Sequence, residues 1–291
     1  MRVAIVGDGL LGRTLIERLE GFDAIEPVML GHKDIEVANP ESVKRALDGF
    51  DVAINTVAFH KLQGCEDDPT LARLVNADGA RNVASVVPTF YVSTDYVFND
   101  GGPHDESLPG EDPRSVYGKT KLAGEIATLE HGGIVVRVSG LFGHYRSHKG
   151  PSFPEMVSSS FDTLRVPADQ RFSPTYAPDA AEQIAGLVLR YVSQPNDVPP
   201  LTAYAAKMRV GGIYHAANAG TTSWAEFAEQ ICEVLPWRRH VEAIRSRDPI
   251  RPRNSSIKST RLPALRHWRF ALDAWADVRR KELYISPLRS A

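Results

Sequence analysis

The chain has 291 residues, of which 43% are hydrophobic, and its formal net charge is −2. This length allows a large buried core and about two domains or lobes. A charge so close to neutral gives no reason to expect nucleic acid or an anionic membrane as a partner. Cys65 and Cys232 are the only cysteines, too few for a disulfide framework or a metal cluster, so we expect no metal site.

The first residues do not have the pattern of a targeting segment. Residues 1–6 lead directly into a glycine-rich turn, without a long apolar region or a cleavage site. No apolar run has the length needed to cross a bilayer. Together with two thiols, which suit a reducing compartment, these features predict a cytoplasmic protein without a membrane partner.

A glycine-rich turn follows the first predicted strand. Residues 3–6 are all apolar, as in a strand buried on both faces, and a helical pattern begins at Thr14. Between them lies Gly-x-Gly-x-x-Gly, which in this context is typical of a dinucleotide fold, because the helix N-terminus attracts a pyrophosphate. A purely structural turn would leave the second and third glycines unexplained. The predicted coenzyme contacts are Gly7, Gly9, Leu10, Leu11 and Gly12.

The second predicted strand, residues 27–30, leads to the expected ribose site. NAD-specific folds usually have an acidic residue here, but this chain has His32 and Lys33. With Arg13 after the turn, they favour a 2′-phosphate and hence NADPH, although NADH can serve and the side chains could be ordinary surface residues. Residues 34–35 could form a third short strand beside the adenine. The predicted adenosine contacts are His32, Lys33, Asp34 and Ile35, and Ala58, at the end of the next buried strand (51–58), is a further predicted coenzyme contact.

Three polar residues follow one another within a later predicted strand, residues 90–98. Ligands of open parallel sheets bind outside the carboxyl ends of the strands. Ser93, Thr94 and Asp95 therefore lie where a substrate is expected. The alternative is that they are only a polar exit from the strand into the following loop.

The next predicted helix carries a phenol and an ammonium four residues apart. Ser115 can cap this helix, and the spacing places Tyr117 and Lys121 on one face. A nearby cation lowers the pKa of a phenol, about 10 when free, which suits a group that exchanges a proton. On spacing alone, an amphipathic surface pair is the commoner explanation.

The alternation of strands and helices predicts an α/β protein with a Rossmann-type doubly wound parallel sheet. The alternation stops after Gly143. We predict a dinucleotide-binding domain at 1–143 and 178–217, and a smaller mixed α/β C-terminal substrate-binding lobe at 144–177 and 218–291. The lobe contains a cluster of arginines, which form either a solvated face or a site for an anionic ligand. They are Arg238, Arg239, Arg245, Arg247, Arg251 and Arg253.

Taken together, the glycine turn, the Ser93-Thr94 pair and Tyr117-x-x-x-Lys121 resemble the extended short-chain dehydrogenase/reductase superfamily. Within it, the sequence is most similar to the dTDP-4-dehydrorhamnose reductase family, over nearly the whole chain. The stretches that carry this resemblance are 93–98, 116–125, 169–176, 212–224 and 251–255.

The resemblance implies an NADPH-dependent reductase that converts the 4-keto group of a nucleotide-linked 6-deoxysugar to an alcohol. By matching position, Thr94 would bind the ketone and Tyr117 would donate the proton. Lys121 would tune Tyr117 and hold the nicotinamide ribose, so both also contact the coenzyme. The implied substrate-binding residues are Ser93, Asp95, Tyr96, Gly140 and Arg251. Members of the family can form dimers, so the resemblance implies that this chain could form a homodimer.

Two departures from the family pattern lie on the substrate side. Gly140 stands where the family usually has a tryptophan, and Gln63-Gly64 replaces an Asp-Lys pair. We therefore expect a reductase with an altered sugar pocket.

Three alternatives remain open from the sequence. A dehydratase would need a second carboxylate after Thr94, where the chain has Asp95 and then Tyr96. An epimerase would be expected to prefer NAD and an acid near Lys33. A non-catalytic NADP-binding subunit is the third, because the regulatory subunit of methionine adenosyltransferase is similar to the same branch.

Overall fold

The structure is a computed structural model that describes residues 1–145, 150–159, 163–192, 212–235 and 240–285. Two of the clustered arginines, Arg238 and Arg239, lie outside the described residues, as does the part of the predicted dinucleotide-binding domain at 193–211. Residues 146–149, 160–162, 236–239 and 286–291 of the predicted substrate-binding lobe also lie outside them.

Within the described residues, the main sheet has six parallel strands. They are β1 (Arg2–Val6), β2 (Glu26–Leu30), β3 (Val52–Asn55), β4 (Thr89–Thr94), β5 (Ile134–Val138) and, later in the chain, β10 (Ile213–His215). Their order is β10-β5-β4-β3-β1-β2. The chain therefore builds outwards from β1 in both directions, which confirms the doubly wound sheet and places the binding crevice outside the carboxyl ends of β1 and β3.

Helices cover both faces of this sheet. The helices of the described residues are α1 (Leu10–Leu19), α2 (Pro40–Ala46), α3 (Leu62–Asp67), α4 (Pro69–Arg73), α5 (Gly79–Ala84), α6 (Val116–Glu130), α7 (Phe153–Ser159), α8 (Ala177–Val192), α9 (Trp224–Val234) and α10 (Trp268–Ile285). Of these, α7, α9 and α10 pack with the second group of elements described below. A π-helical turn, Leu74–Asp78, joins α4 to α5. In the described part of the chain, none of these helices combines the length and the apolar character that a membrane span requires.

The strand β1 shows why the sheet is buried on both sides. Its residues Val3 and Ile5 pack with α1 and α8, whereas Ala4 and Val6 pack with α2 and α5. Successive side chains of a strand point to opposite faces, so a strand between two helical layers must be apolar at every position. This explains the unbroken apolar run in the sequence.

Residues 31–35 do not form the third short strand that the sequence suggested. The backbone N–H groups of Asp34 and Ile35 both donate to Gly31 O, and Asp34 Oδ2 accepts from Gly31 N at 2.8 Å. These bonds close a turn after β2 because the Asp34 side chain competes for the backbone donors that a strand would use.

A second group of elements surrounds an aromatic core of its own. Its strands are β6 (Leu141–Phe142), β7 (Leu164–Pro167), β8 (Arg171–Phe172), β9 (Thr175–Tyr176), β11 (Thr222–Ser223) and β12 (Val241–Ile244), paired as β6–β9, β8–β11 and β7–β12. The core contains Phe172, Phe227, Trp268 and Trp275. A capping box starts α9: Ser223 Oγ accepts from Glu226 N at 3.1 Å, and Ser223 N donates to Glu226 at 2.9 Å.

Candidate active site

The glycine turn between β1 and α1 is a cradle that side chains would fill. Gly7 has a φ of +109°, and a Cβ on Gly12 would lie 2.0 Å from Gly7 O. A Cβ on Gly9 would meet nothing within 4 Å, so the space in front of the helix is open. Gly9 has no side chain that could cap α1, so the first backbone N–H groups of α1 can bind an anionic group. This geometry fits the pyrophosphate of a dinucleotide.

A pocket of about 470 Å³ lies beside this turn and contains charges of both signs. Its lining includes Arg13, whose Nε donates to Asp8 O at 2.9 Å. A Cβ on Gly31 would lie 3.4 Å from Asp8 Oδ2 and 3.7 Å from Asp34 Oδ2. The sequence shows no acid at 32–33, but the fold brings two carboxylates to this point. His32 and Lys33, the predicted basic contacts, are exposed.

Other predicted coenzyme residues differ in exposure. Leu11 and Ile35 are buried in the hydrophobic core, so only their backbone groups can serve a ligand. Leu10 and Ala58 are half-buried at the carboxyl ends of the strands. The loop after Ala58 is fixed by Asn76, whose side chain accepts from Phe59 N at 2.8 Å and donates to Phe59 O at 3.0 Å.

Asn76 is a residue of the site that the sequence predictions did not include. It lies in the π-helical turn, is fully buried, and also donates to Thr120 Oγ1 at 3.0 Å. It thereby joins the coenzyme-side loop to α6, which carries Tyr117 and Lys121. The only signal in the sequence is a polar residue on an otherwise apolar helix face.

The first turn of α6 is fixed by two side chains. Ser115 Oγ accepts from Gly118 N at 3.0 Å, as predicted, and Glu66 Oε1 accepts from Val116 N at 2.8 Å. These caps determine where Tyr117 leaves the helix. Its side chain interacts with that of Thr94 at the end of β4. The structure therefore brings two of the three predicted catalytic residues together.

Burial raises the pKa of Tyr117 above its ordinary value, opposed by the interaction with Thr94 and reinforced by Asp95. The prediction that Lys121 lowers this pKa is wrong for the structure as it stands. Lys121 Nζ instead donates to Val92 O at 2.7 Å and lies 3.9 Å from the centre of the Tyr91 ring. Burial lowers the pKa of Lys121 to about 7, opposed by Glu125.

A buried ion pair lies beside Lys121 and was also missed. Glu125, one helical turn further along α6, accepts from Arg137 Nε at 2.9 Å and Nη2 at 2.7 Å. The side chains are 2% and 0% exposed. This bidentate pair fixes α6 to β5, since removing one partner would leave a buried charge without compensation.

The predicted sugar-side residues fall into two groups. Ser93 Oγ is buried and has no hydrogen-bond partner among the described residues, which suits a ligand contact. Tyr96 accepts from Arg251 Nη1 at 3.0 Å, and its ring packs edge-on against that of Tyr117 at 5.9 Å. Asp95 is as buried as Ser93, at 2% exposure, but its Oδ2 accepts from Ser139 Oγ at 2.9 Å and from Ser255 Oγ at 2.6 Å. The Ser93 hydroxyl is therefore unpartnered, whereas the Asp95 carboxylate is already engaged by the chain.

The space beside Gly140 is filled by another aromatic residue. Gly140 has a φ of +49°, and a Cβ there would lie 2.4 Å from two ring carbons of Phe172. The Phe172 ring stacks on Trp224 with centroids 3.8 Å apart. A tryptophan at 140 would have no room, because the ring of Phe172, a core residue of β8, occupies that space. At the other departure, Gln63 donates to Asp67 at 2.8 Å on α3.

The parallel sheet, the glycine cradle and the Thr94–Tyr117 contact beside Lys121 define the class of the Rossmann-type reductases. Residues 1–280 match the family model described as RmlD substrate binding domain. The chain belongs to this family, together with the dTDP-4-dehydrorhamnose reductases.

Individual relatives agree over most of their length. The chain is 32% identical to a dTDP-4-dehydrorhamnose reductase of Streptomyces griseus, covering 91% of this chain and 89% of that protein. It is 32% identical to a probable dTDP-4,6-dihydroxy-2-methyloxan-3-one 4-ketoreductase of Streptomyces antibioticus, covering 96% of both. A solved dTDP-4-dehydrorhamnose reductase of Bacillus anthracis, in complex with NADP, is 27% identical with a TM-score of 0.79, over 94% of this chain and 98% of that one.

Proposed function

We propose that the protein is an NADPH-dependent reductase that converts the 4-keto group of a nucleotide-linked 6-deoxysugar to an alcohol. The observation that carries the proposal is the contact between Thr94 and Tyr117 at the carboxyl end of β4, beside the buried ammonium of Lys121. Two relatives are named as a sugar-nucleotide reductase and a probable 4-ketoreductase, and a solved one holds NADP.

The coenzyme would lie across the carboxyl ends of β1 and β3. The glycine turn of Gly7, Gly9 and Gly12 would hold its pyrophosphate. Arg13 would attract a 2′-phosphate, and the carboxylates of Asp8 and Asp34 in the same pocket would oppose this attraction. When bound, NADPH supplies the hydride for the ketone carbon. Because the ribose site contains both signs of charge, NADH is expected to serve as a weaker coenzyme.

Residues of the chain would stabilise the ketone oxygen during the reduction. Negative charge develops on this oxygen as the carbon is reduced, and donors already fixed in place stabilise it; losing one such donor typically costs about 2.7–4 kcal/mol. Thr94 and Tyr117 would be these donors. The raised pKa of Tyr117 keeps its phenol protonated, so it has a proton to give. Lys121 would stabilise the phenolate that remains and hold the nicotinamide ribose.

The substrate would approach from the second group of elements. Ser93 has an unpartnered hydroxyl at the end of β4, and Arg251 presents its guanidinium at Tyr96. A guanidinium binds phosphate oxygens well, so Arg251 is our candidate for the nucleotide diphosphate. We further propose that 144–177 and 218–291 form the substrate-binding lobe, 1–143 and 178–217 the dinucleotide-binding domain, and that the enzyme serves deoxysugar biosynthesis in the cytoplasm.

The test is turnover with a panel of nucleotide-linked 4-keto-6-deoxysugars, using NADPH and NADH. The proposal predicts substrate-dependent coenzyme oxidation and a product alcohol in equal amounts. Coenzyme recycled without net consumption would favour an epimerase instead. Tight coenzyme binding with no turnover on any sugar, together with stable co-purification of a partner enzyme, would favour a non-catalytic subunit.

A further inference from the structure

Glu66 holds the first turn of α6, the helix that carries Tyr117. Its Oε1 accepts from Val116 N, the first N–H group of the helix, at 2.8 Å. Ser115, the capping residue, leaves this group to another acceptor, because its own Oγ accepts from Gly118 N at 3.0 Å. The first N–H groups of a helix have no partner within the helix, and here a separate element provides one.

The first turn of α6 lies directly against the backbone that follows β4. A Cβ on Gly118 would lie 2.2 Å from Tyr96 O and 2.7 Å from Pro113 Cβ. On the same turn, the Tyr117 ring contacts that of Tyr96 edge-on, with ring centroids 5.9 Å apart. Since Thr94 ends β4, the position of Tyr117 relative to Thr94 depends on how this turn of the helix is placed.

Glu66 belongs to α3, a short helix with anchors of its own. Cys65 is fully buried, and its Sγ donates to Phe59 O at 3.1 Å. Phe59 is in turn bound by Asn76 through its backbone N–H and its carbonyl oxygen. The helix α3 also packs on α6. The Glu66 carboxylate is therefore presented by a segment whose own position is fixed.

The acceptor for Val116 N comes from a charged side chain. A carboxylate stabilises the N-terminus of a helix through its hydrogen bond and through the helix dipole. The hydrogen bond is what holds the turn in one place, and the amide oxygen of a glutamine would accept from the same N–H group. The support therefore requires an acceptor oxygen at residue 66 rather than a negative charge.

We propose that Glu66 is a positioning residue that holds the first turn of α6 and thereby places the Tyr117 hydroxyl beside Thr94. The inference rests on the proposed reductase function, because that function gives Tyr117 its role. Glu66 itself touches neither the coenzyme nor the sugar in this assignment. Since α3 also carries Gln63 and Gly64, the helix that supports Tyr117 is the one that departs from the family pattern on the substrate side.

The experiment compares Glu66→Ala, Glu66→Gln and Asn39→Ala. Asn39 caps α2, which carries no predicted catalytic or binding residue, and its Oδ1 accepts from Glu41 N at 3.0 Å and from Ser42 N at 3.2 Å. Asn39→Ala is therefore a matched loss of a helix cap outside the site. For each variant we would measure kcat, KM for the sugar, the Kd of NADPH by fluorescence, and the unfolding temperature.

Glu66→Ala is expected to lower kcat about tenfold or more, because a displaced proton donor fits the transition state poorly. KM and the NADPH Kd should stay within about threefold of wild type. Glu66→Gln should keep kcat within about twofold, because its amide oxygen restores the acceptor. Both alanine variants should unfold about 2–4 °C below wild type, and Asn39→Ala should keep the wild-type kcat.

Four results would overturn the assignment. Wild-type kcat in Glu66→Ala would show that the bond to Val116 positions nothing. A kcat as low in Glu66→Gln as in Glu66→Ala would show that the charge of the carboxylate acts, and not its hydrogen bond. A raised KM with an unchanged kcat would make residue 66 part of the sugar site. An equal loss of kcat in Asn39→Ala would make the loss an effect of stability alone.

A failure of the proposed function would be recognised separately. If wild-type protein turns over no sugar, crystal structures of wild type, Glu66→Ala and Glu66→Gln decide the inference through the position of Tyr117. A Tyr117 hydroxyl that is displaced from Thr94 in Glu66→Ala alone supports positioning by Glu66. An unchanged Tyr117 in Glu66→Ala, or an equal displacement in both variants, refutes it.

Discussion

Replacing the buried ammonium of Lys121 should make the protein more stable and less active. Burial lowers the pKa of Lys121 from 10.5 to about 7. At about 1.4 kcal/mol for each pKa unit, the charged side chain destabilises the fold by about 4–5 kcal/mol at or below pH 7. A folded pKa below the unfolded one means that this cost disappears as the pH rises from about 7 to 10.5. Lys121→Met keeps the apolar stem and loses the hydrogen bond to Val92 O, worth about 1 kcal/mol.

The expected net gain for Lys121→Met is therefore about 3 kcal/mol at pH 7 and none at pH 10. Urea unfolding of both proteins at the two pH values measures it. Lys119→Met changes an exposed lysine of the same helix and should stay within about 0.5 kcal/mol of wild type at both. The reasoning is refuted if Lys121→Met is not stabilised at pH 7, or if its gain is the same at pH 10. Turnover of this variant should fall by about 10²-fold or more.

Three further predictions follow from the site. Gly140→Ala should lower the free energy of unfolding in urea by about 2–4 kcal/mol, because a positive φ costs about 1–2 kcal/mol and the Cβ meets Phe172. Combining Gly140→Ala with Phe172→Leu should recover the part of this loss that is due to the clash. Equal stability of the single and double variants would contradict this. Arg13→Ala should raise the Kd of NADPH about tenfold in fluorescence titrations while leaving that of NADH within about twofold; equal effects would exclude a 2′-phosphate contact. Arg251→Gln should raise KM for the nucleotide sugar about tenfold with an unchanged NADPH Kd, and an unchanged KM would remove Arg251 from the diphosphate site.

The main sheet could be predicted because its evidence is local in sequence. A strand buried between two helical layers is apolar throughout, and a glycine turn before a helix allows a pyrophosphate to approach the backbone closely. The capping box at Ser223 has the same local character. The turn at 31–35 could not be predicted, because the backbone conformation there depends on which acceptor binds the Gly31 N–H. In the structure this acceptor is the Asp34 side chain.

The site was predictable in its residue types but not in its pairings. Tyr117 and Thr94 were found from motifs, and the structure brings them together. Lys121 was placed on the right face of its helix, but the sequence does not reveal Val92 O, a competing acceptor from a neighbouring strand. Asp95 was assigned to the sugar pocket from its place at the end of a strand and from the family resemblance. The sequence does not reveal its hydrogen-bond partners Ser139 and Ser255, which lie far along the chain. Contacts over such separations leave no periodic signal.

The same limit explains the filled space at Gly140. The sequence shows that an aromatic side chain is missing there, and it also contains Phe172, but nothing local connects the two. Only the pairing of β8 with β11 and the stack on Trp224 bring the ring to Gly140. The space that a larger side chain at 140 would need is thus occupied by a core residue of another strand.

The central claim is that Tyr117 donates the proton to a sugar ketone beside Thr94. It is tested most directly by NADPH oxidation in the presence of a nucleotide-linked 4-keto-6-deoxysugar, measured for wild type and Tyr117→Phe with the Kd of NADPH determined for both. The account predicts substrate-dependent oxidation by wild type and a rate about 10²–10⁴-fold lower in the variant, with NADPH still bound. Wild-type protein that binds NADPH but reduces no such sugar, or a variant that keeps the wild-type rate, would contradict it.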